Sequence, residues 1–205
     1  MASQVAHIVY AKKYLDRHPM KEADSFILGS LFPDIRRMSK EISRSQTHHN
    51  FETLDLDFNG LAPFEAGWKF HIWCDMKRNE ILNKYNFYSL KYAEDFGGLP
   101  ARLLEDELLY EKYSNWEKLV HLLNNPPNLK IKLSDQIVSY ETLEHWYAIV
   151  AKYFEKKPSD KTIKIFLCKQ LSLKKEADGI IDDLGKLRNN QKAVEILKKV
   201  SEEII

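Results

Sequence analysis

The 205-residue sequence has only two cysteines, Cys74 and Cys168, which lie far apart among apolar residues. A disulfide framework or a thiolate metal cluster needs more cysteines at closer spacing. We therefore expect both thiols to be buried and reduced.

Long apolar runs and an excess of one charge are also missing. No stretch approaches the ~18 apolar residues of a membrane span, and the first residues show no basic segment followed by an apolar one. Thirty-one Lys and Arg residues against 30 Asp and Glu residues give a formal charge of +1. There is thus no global basic patch for nucleic acid or anionic lipid, and we expect a cytoplasmic protein without stable membrane association.

Glycine and proline are scarce too, with seven of each, and apolar residues recur at intervals of three and four. The length fits one hydrophobic core. We predict an all-α, single-domain multi-helix bundle over residues 1–205, with no sheet and with residues 156–205 as a candidate helical cap. The predicted helices are Ser3–Arg17, Lys21–Phe32, Pro63–Tyr85, Pro100–Asn124, Ser134–Glu155, Ser159–Gln170, Lys174–Leu187 and Gln191–Ile204.

His71 and Asp75 are four residues apart on a predicted helix, so their side chains share one face. A carboxylate in such apolar surroundings needs a partner charge, hydrogen bonds or a metal. The pair therefore makes either a simple contact within one helix or a shared metal site. Gly67 precedes them by one turn, where glycine costs a helix about 1 kcal/mol relative to alanine. We expect either a neighbouring helix or a metal with its bound solvent to approach this face closely.

Other segments offer further metal ligands. His7 lies on the apolar side of the first helix, as a ligand or as a core histidine. Asp34 follows the end of the second helix, as a ligand or as a turn-stabilising residue. In the long loop that follows, one of His48 and His49 is expected to coordinate. Imidazole and carboxylate ligands without sulfur suit zinc, and also iron, manganese or nickel. The candidate metal ligands are His7, Asp34, His48, His71 and Asp75.

Two charged segments have alternative interpretations. Arg36 and Arg37 form either a solvated basic turn or contacts to phosphate oxygens. Glu105, Asp106 and Glu107 form either a solvated helix face or a source of one more metal-binding carboxylate.

In order and spacing the candidate ligands resemble the zinc-dependent phospholipase C superfamily, whose relatives include single-strand-specific nucleases. The resemblance covers roughly the first eighty residues. The 14-residue spacing from Asp34 to the loop histidine favours His48 over His49. The matching features are His7 in the first helix, the segment FILGSLFPDI, Thr47-His48, and Gly67, His71 and Asp75 on one long helix.

The resemblance implies a helical bundle of the phospholipase C and nuclease type. It implies that Asp34, His48, His71 and Asp75 hold one zinc ion, and that His7 and Asp75 belong to a second. The N-terminal Trp at the metal and the later His-x-x-x-Glu of that superfamily have no counterpart here. We therefore expect one or two ions.

The implied function is a metal-dependent hydrolase that acts on a small-molecule or nucleotide phosphoester through a metal-activated water. Asp34 is the predicted catalytic residue, as proton acceptor from that water. One alternative is a non-catalytic helical protein with a structural metal site. Another is a protein without metal, in which these His and Asp residues are ordinary core and turn groups.

Overall fold

The computed structural model describes residues 3–39, 41–48, 51, 53–133, 136–169 and 173–205. The described residues are mostly helical, which confirms the predicted all-α class. No helix among them is long and apolar enough to cross a membrane. The helices are α1 Gln4–Arg17, α2 Ala23–Leu31, α3 Arg44–Thr47, α4 Pro63–Lys84, α5 Asp95–Leu109, α6 Trp116–Asn124, α7 Tyr140–Phe154, α8 Asp160–Lys169, α9 Ala177–Arg188 and α10 Gln191–Glu203, with short 3-10 helices at Phe32–Arg37, Phe87–Ser89 and Tyr110–Lys112.

Proline ends the first two helices where the sequence predicts. α1 stops at Arg17, directly before His18-Pro19, because the residue before a proline avoids the helical conformation. α2 stops at Leu31, and Pro33 lies in the first turn of the 3-10 helix that follows. This 3-10 helix contains Asp34, which is fully buried.

The predicted single helix Pro100–Asn124 is wrong, because the chain breaks between α5 and α6. Tyr113 is extended (φ −120°, ψ 132°), and α6 starts after Asn115. Ser and Asn compete with the helix by bonding to nearby backbone, so the pair at 114–115 favours a break that the apolar period masks.

The expectation of no sheet is wrong by one small hairpin, in which Ile131–Lys132 pairs antiparallel with Ile137–Val138. Strands of two residues are too short to show alternation in a sequence. The predicted helix Ser134–Glu155 begins too early: α7 starts at Tyr140, where the Ser139 hydroxyl accepts the Thr142 N–H. Ser134 itself lies outside the described residues. The other predicted helix ends among the described residues differ from those observed by at most three residues, most at Lys174 against Ala177. The predicted end Gln170 lies outside the described residues.

The two cysteines differ. Cys74 is fully buried in the core, as predicted, whereas Cys168 is partly exposed, so the prediction of burial is wrong for it.

α2 and α4 cross at two glycines. A Cβ on Gly67 would lie 2.0 Å from the Phe26 carbonyl oxygen, and a Cβ on Gly29 would lie 2.0 Å from the Phe64 carbonyl oxygen. Real Cβ atoms do not come so close to backbone, so each helix fits only because the other lacks a side chain there. The neighbouring-helix interpretation of Gly67 is therefore confirmed.

We predict that Gly67→Ala lowers the free energy of unfolding by about 3 kcal/mol, the upper end of the usual cost of overpacking, because the obstructing atom is backbone. Chemical denaturation monitored by circular dichroism measures the change. Gly185 in α9 has nothing within 4 Å of an added Cβ. Gly185→Ala should instead stabilise the protein by about 0.5–1 kcal/mol. Equal effects of the two substitutions would contradict the close crossing.

Candidate metal site

His71 is held on α4 by the backbone of α2. Its Nδ1–H donates to the Ser30 carbonyl oxygen at 2.8 Å, and the side chain is fully buried. Because Nδ1 carries the hydrogen, the lone pair of the neutral ring is on Nε2. A ligating histidine usually has this arrangement, with the second nitrogen bonded to a carbonyl or carboxylate.

His7 reaches the same place because Asp106 of α5 binds the first turn of α1. The Asp106 carboxylate accepts the Ala6 N–H at 3.1 Å and the Ser3 hydroxyl, and Tyr153 donates to it at 3.0 Å. This remote carboxylate satisfies a helix N–H that has no partner within the helix. It fixes α1 so that the His7 ring stacks on the His71 ring, with centroids 3.8 Å apart and planes 14° apart.

Asp75 lies among three imidazoles. Its oxygens are 3.5 Å from His7 Nε2, 3.7 Å from His48 Nε2 and 3.8 Å from His71 Nε2. These three nitrogens are buried and have no hydrogen-bond partner among the described residues. Ligand atoms around a tetrahedral zinc ion lie about 3.3–3.4 Å apart, given metal–nitrogen distances of ~2.0–2.1 Å. The observed spacing is thus too long for good hydrogen bonds and close to that of atoms around one ion.

Asp34 is held by neighbours on two sides. Gln4 Nε2 donates to Oδ2 at 2.7 Å, and Arg37 Nε donates to Oδ1 at 2.9 Å. Burial favours the neutral acid, but Arg37 together with the adjacent His71 and His7 outweighs it and holds the pKa of Asp34 well below its usual value. Asp34 is therefore ionised at neutral pH.

The structure brings all five sequence-predicted ligands into two overlapping groups that could hold a metal ion. The ligand atoms of each group lie within 4.8 Å of one another, and the groups are His7, Asp34 and His71, and His48, His71 and Asp75. We call the five residues the His/Asp cluster. A neutral imidazole offers one lone pair, so His71 can bind only one ion. If two ions bind, a carboxylate would be the ligand that they share. His49, the other loop candidate, lies outside the described residues.

The cluster combines ionised carboxylates with neutral imidazole. Burial and the adjacent His7 lower the pKa of His71 to about 3. Burial opposes ionisation of Asp75, but His48 and His7 beside it hold its pKa well below the ordinary value. Buried negative charge next to the neutral His71 ring is the environment that a divalent cation stabilises.

The solvated interpretations of the two charged segments are wrong. Arg36 and Arg37 have side chains only 17% and 18% exposed and lie against Asp34. Glu105 and Asp106 are buried, and polar groups of α1, α4 and α7 bind them. Neither belongs to the groups of described residues that could hold a metal.

Glu107 is also engaged, in a two-point contact with Arg188 of α9 at 2.5 and 2.8 Å. Glu105, Asp106 and Glu107 therefore serve packing between helices. The local sequence does not reveal this, because all their partners are distant in the chain.

Two supporting residues were not found from the sequence. The Ser30 carbonyl is a backbone group, so no residue type signals it. Gln4 lies one turn before His7 in α1, and its side chain donates to Asp34. It was missed because a glutamine in the first turn of a helix is equally common where that turn faces solvent.

A small cavity of about 30 Å³ adjoins Asp34. That is room for one or two water molecules. Its polar lining comes from Ser3, Gln4, Asp34, Arg37, Arg102, Asp106 and Tyr153.

Comparisons with protein-family models, with curated proteins and with solved structures gave no match. The resemblance to the zinc-dependent phospholipase C superfamily therefore rests on the residues and their spacing alone.

We predict that acidification of the metal-free protein removes the part of its stability that depends on neutral His71. Asp106, whose pKa is raised to about 7 by burial, contributes stability in the opposite direction over the same range, so the His71 part is measured against a variant that lacks the His71 imidazole. In the unfolded chain His71 takes up a proton near its ordinary pKa of ~6.5, whereas the folded protein keeps it neutral to about pH 3. The stability that depends on neutral His71 is thus complete above pH ~6.5 and falls as the pH drops below it. Between pH 7 and pH 5 this contribution should fall by about 2 kcal/mol, measured by urea unfolding as the difference in pH dependence between the wild type and His71→Asn.

His71→Asn keeps a donor for Ser30 but cannot titrate, so it should lack this contribution. His121→Asn, at an exposed position in α6, should keep it. A wild-type slope retained in His71→Asn would contradict the assignment.

Proposed function

We propose that the protein is a metal-dependent hydrolase of phosphoesters, with a zinc ion or ions held by His7, Asp34, His48, His71 and Asp75. The observation that carries the proposal is a set of buried imidazole nitrogens that have no hydrogen-bond partner among the described residues and are spaced around Asp75 like ligands of one ion. Manganese, iron and nickel suit the same nitrogen and oxygen ligands. The resemblance to the zinc-dependent phospholipase C superfamily supports the choice of zinc and of a phosphoester.

A divalent ion bound here would lower the pKa of a coordinated water and stabilise negative charge on a phosphoryl oxygen. The protein supplies the geometry. Ser30 fixes which nitrogen of His71 faces the cluster, and Asp106 holds α1 so that His7 stacks against that ring.

Asp34 remains our proposed proton acceptor, and its contacts define what that role requires. Both of its oxygens accept hydrogen bonds, and Arg37 keeps it ionised. It is therefore ready to accept a proton only if the contact to Gln4 or Arg37 is exchanged for one to the water. The cavity of about 30 Å³ beside Asp34 has room for that water.

Burial of the cluster favours one alternative, a structural metal site. His7, Asp34 and His71 are fully buried, and Asp75 is 7% exposed. Structural sites are closed by four protein ligands, whereas catalytic sites keep a position for water or substrate. In that case the ion would tie α1, α2, α4 and the loop of His48 together without catalysis.

Both functions require a bound metal ion, so the metal content of the protein tests them together. We predict that protein purified without chelator or affinity metal retains about one or two equivalents of a transition metal, measured by inductively coupled plasma mass spectrometry. The double variant His71→Ala/Asp75→Ala should lose it. His121→Ala/His145→Ala, which removes two exposed histidines, is the matched control and should keep it. Absence of metal from the wild type even after reconstitution would leave the cluster as an ordinary buried polar group.

Activity separates the two functions. Protein reconstituted with zinc, manganese or nickel should hydrolyse at least one member of a panel of phosphomonoesters, phosphodiesters, nucleotides and phospholipids. Asp34→Asn, if it retains its metal, should reduce the rate by about 10²–10⁴-fold, the usual contribution of a general acid–base group. Full metal content without hydrolysis of any panel member would favour the structural site.

A further inference from the structure

A polar cleft of about 590 Å³ lies beyond the His/Asp cluster, between the C-terminal half of α4 and the first turn of α5. Two arginines, Arg78 and Arg102, form its floor and are only 3% and 8% exposed. We call it the arginine cleft. Its other polar or glycine lining comes from Asn79, Asn83, Tyr88, Glu94, Gly97 and Gly98.

Arg78 is paired on one side only. Its Nε donates to Glu105 Oε2 at 2.5 Å, and Glu105 also accepts the Tyr10 hydroxyl. The Nη2 nitrogen of Arg78 is buried and has no hydrogen-bond partner within the described part of the chain. Glu105 thus balances the charge of Arg78 but does not use all of its donors.

The charge of Arg102 is balanced less well, because the carboxylates of Asp34 and Asp75 act on it only from a distance. Among the described residues no carboxylate forms an ion pair with it, and its buried Nε has no acceptor. Nearby Arg37 is already paired with Asp34. Burial, followed by the positive charges of Arg37 and Arg78, lowers the pKa of Arg102 to about 10, so the group is still protonated at neutral pH. A buried cation without an adjacent counterion is costly, and an anion in the cleft would remove that cost.

The wall opposite α4 also suits an anion. Phe96, Gly97 and Gly98 have φ of 51°, 63° and 73°, and regular helical geometry begins at Leu99. The positive end of the α5 dipole therefore faces the cleft near Gly98 and Arg102. On the α4 side, Tyr88 donates to Asn79 Oδ1 at 2.7 Å, which leaves the amide NH₂ of Asn79 as a donor.

The rim is held in place by the C-terminal helices. The Phe96 ring packs on Gly179 of α9, where an added Cβ would lie 2.8 Å from the ring. Lys186 of α9 lies over the ring of Tyr92, 4.4 Å from its centre. The exposed Glu94 is the acidic side chain at this rim, where water screens it.

We propose that the arginine cleft binds a phosphate group, with the guanidinium groups of Arg78 and Arg102 as its main donors. Guanidinium groups match the tetrahedral arrangement of phosphate oxygens through paired N–H donors. The site requires no metal, and none of the five residues of the His/Asp cluster lines the cleft, so the proposal does not depend on the hydrolase activity. Arg102 also lines the small cavity beside Asp34, so it lies between the two regions.

Titration of inorganic phosphate into protein treated with a chelator tests the proposal, by calorimetry and by thermal unfolding. We expect saturable binding of about one equivalent, and a tenfold excess of phosphate over its Kd should raise Tm by about 3–5 °C. Arg102→Gln should weaken binding by about tenfold or more, because it removes a charged donor. Arg17→Gln makes the same charge change at an exposed position in α1 and should bind like the wild type.

The Tm of Arg102→Gln without phosphate shows whether the variant still folds. Without phosphate, Arg102→Gln should be at least as stable as the wild type, because it removes a buried charge that has no adjacent counterion. Arg102→Lys keeps the charge but not the fork and should bind with intermediate affinity. A marked loss of stability in phosphate-free Arg102→Gln would show that the protein itself already satisfies Arg102, and would overturn the proposal.

Three further outcomes would also overturn it. One is no saturable binding, and another is an equal Tm shift with acetate, which would remove the preference for phosphate. The third is binding that survives in Arg102→Gln but disappears in His71→Ala/Asp75→Ala, which would place the phosphate at the His/Asp cluster. Failure of the hydrolase proposal leaves all of these results unchanged.

Discussion

The crossing of α2 and α4 at Gly29 and Gly67 is the contact on which the site depends. Both glycines lie where the backbone of the other helix would collide with any side chain. The next residue after Gly29 is Ser30, whose carbonyl holds His71, and His71 is one turn beyond Gly67. A wider crossing would separate that carbonyl from the ring, and the orientation of Nε2 would be lost. The absence of side chains at Gly29 and Gly67 thus sets the orientation of the buried His71 ring.

One face of α4 carries both unusual polar regions. His71, Asp75 and Arg78 follow at intervals of four and three, so they form a line along the helix. The first two face the imidazoles of α1 and the His48 loop, and the third lies under the cleft beside α5. Buried polar atoms without hydrogen-bond partners are rare in folded proteins because each lowers stability. Among the described residues His71 Nε2 and Arg78 Nη2 are two such atoms, and they lie on one face of α4.

Sequence reasoning succeeded where a signal is local. The pair His71 and Asp75 shares a face because of helix geometry, and Pro19 and Pro33 mark helix ends because of their fixed φ. It failed where the cause is distant in the chain. Glu105 and Asp106 look like solvated residues, but Arg78 and the first turn of α1 bind them across gaps of 27 and 100 residues. The hairpin at 131–138 was missed because two-residue strands have no period to detect.

The contact of Phe96 with Gly179 makes the rim of the cleft depend on a different part of the chain from the His/Asp cluster. The His/Asp cluster is built from α1, the segment after α2, the His48 loop and α4, all in the first part of the chain. The shape of the cleft rim instead depends on α9, which donates no side chain to the cleft. A larger residue at position 179 would move the Phe96 ring and, with it, the adjoining glycines. Mutations in the C-terminal third can therefore change which ligands fit the cleft while every residue that could bind metal stays the same.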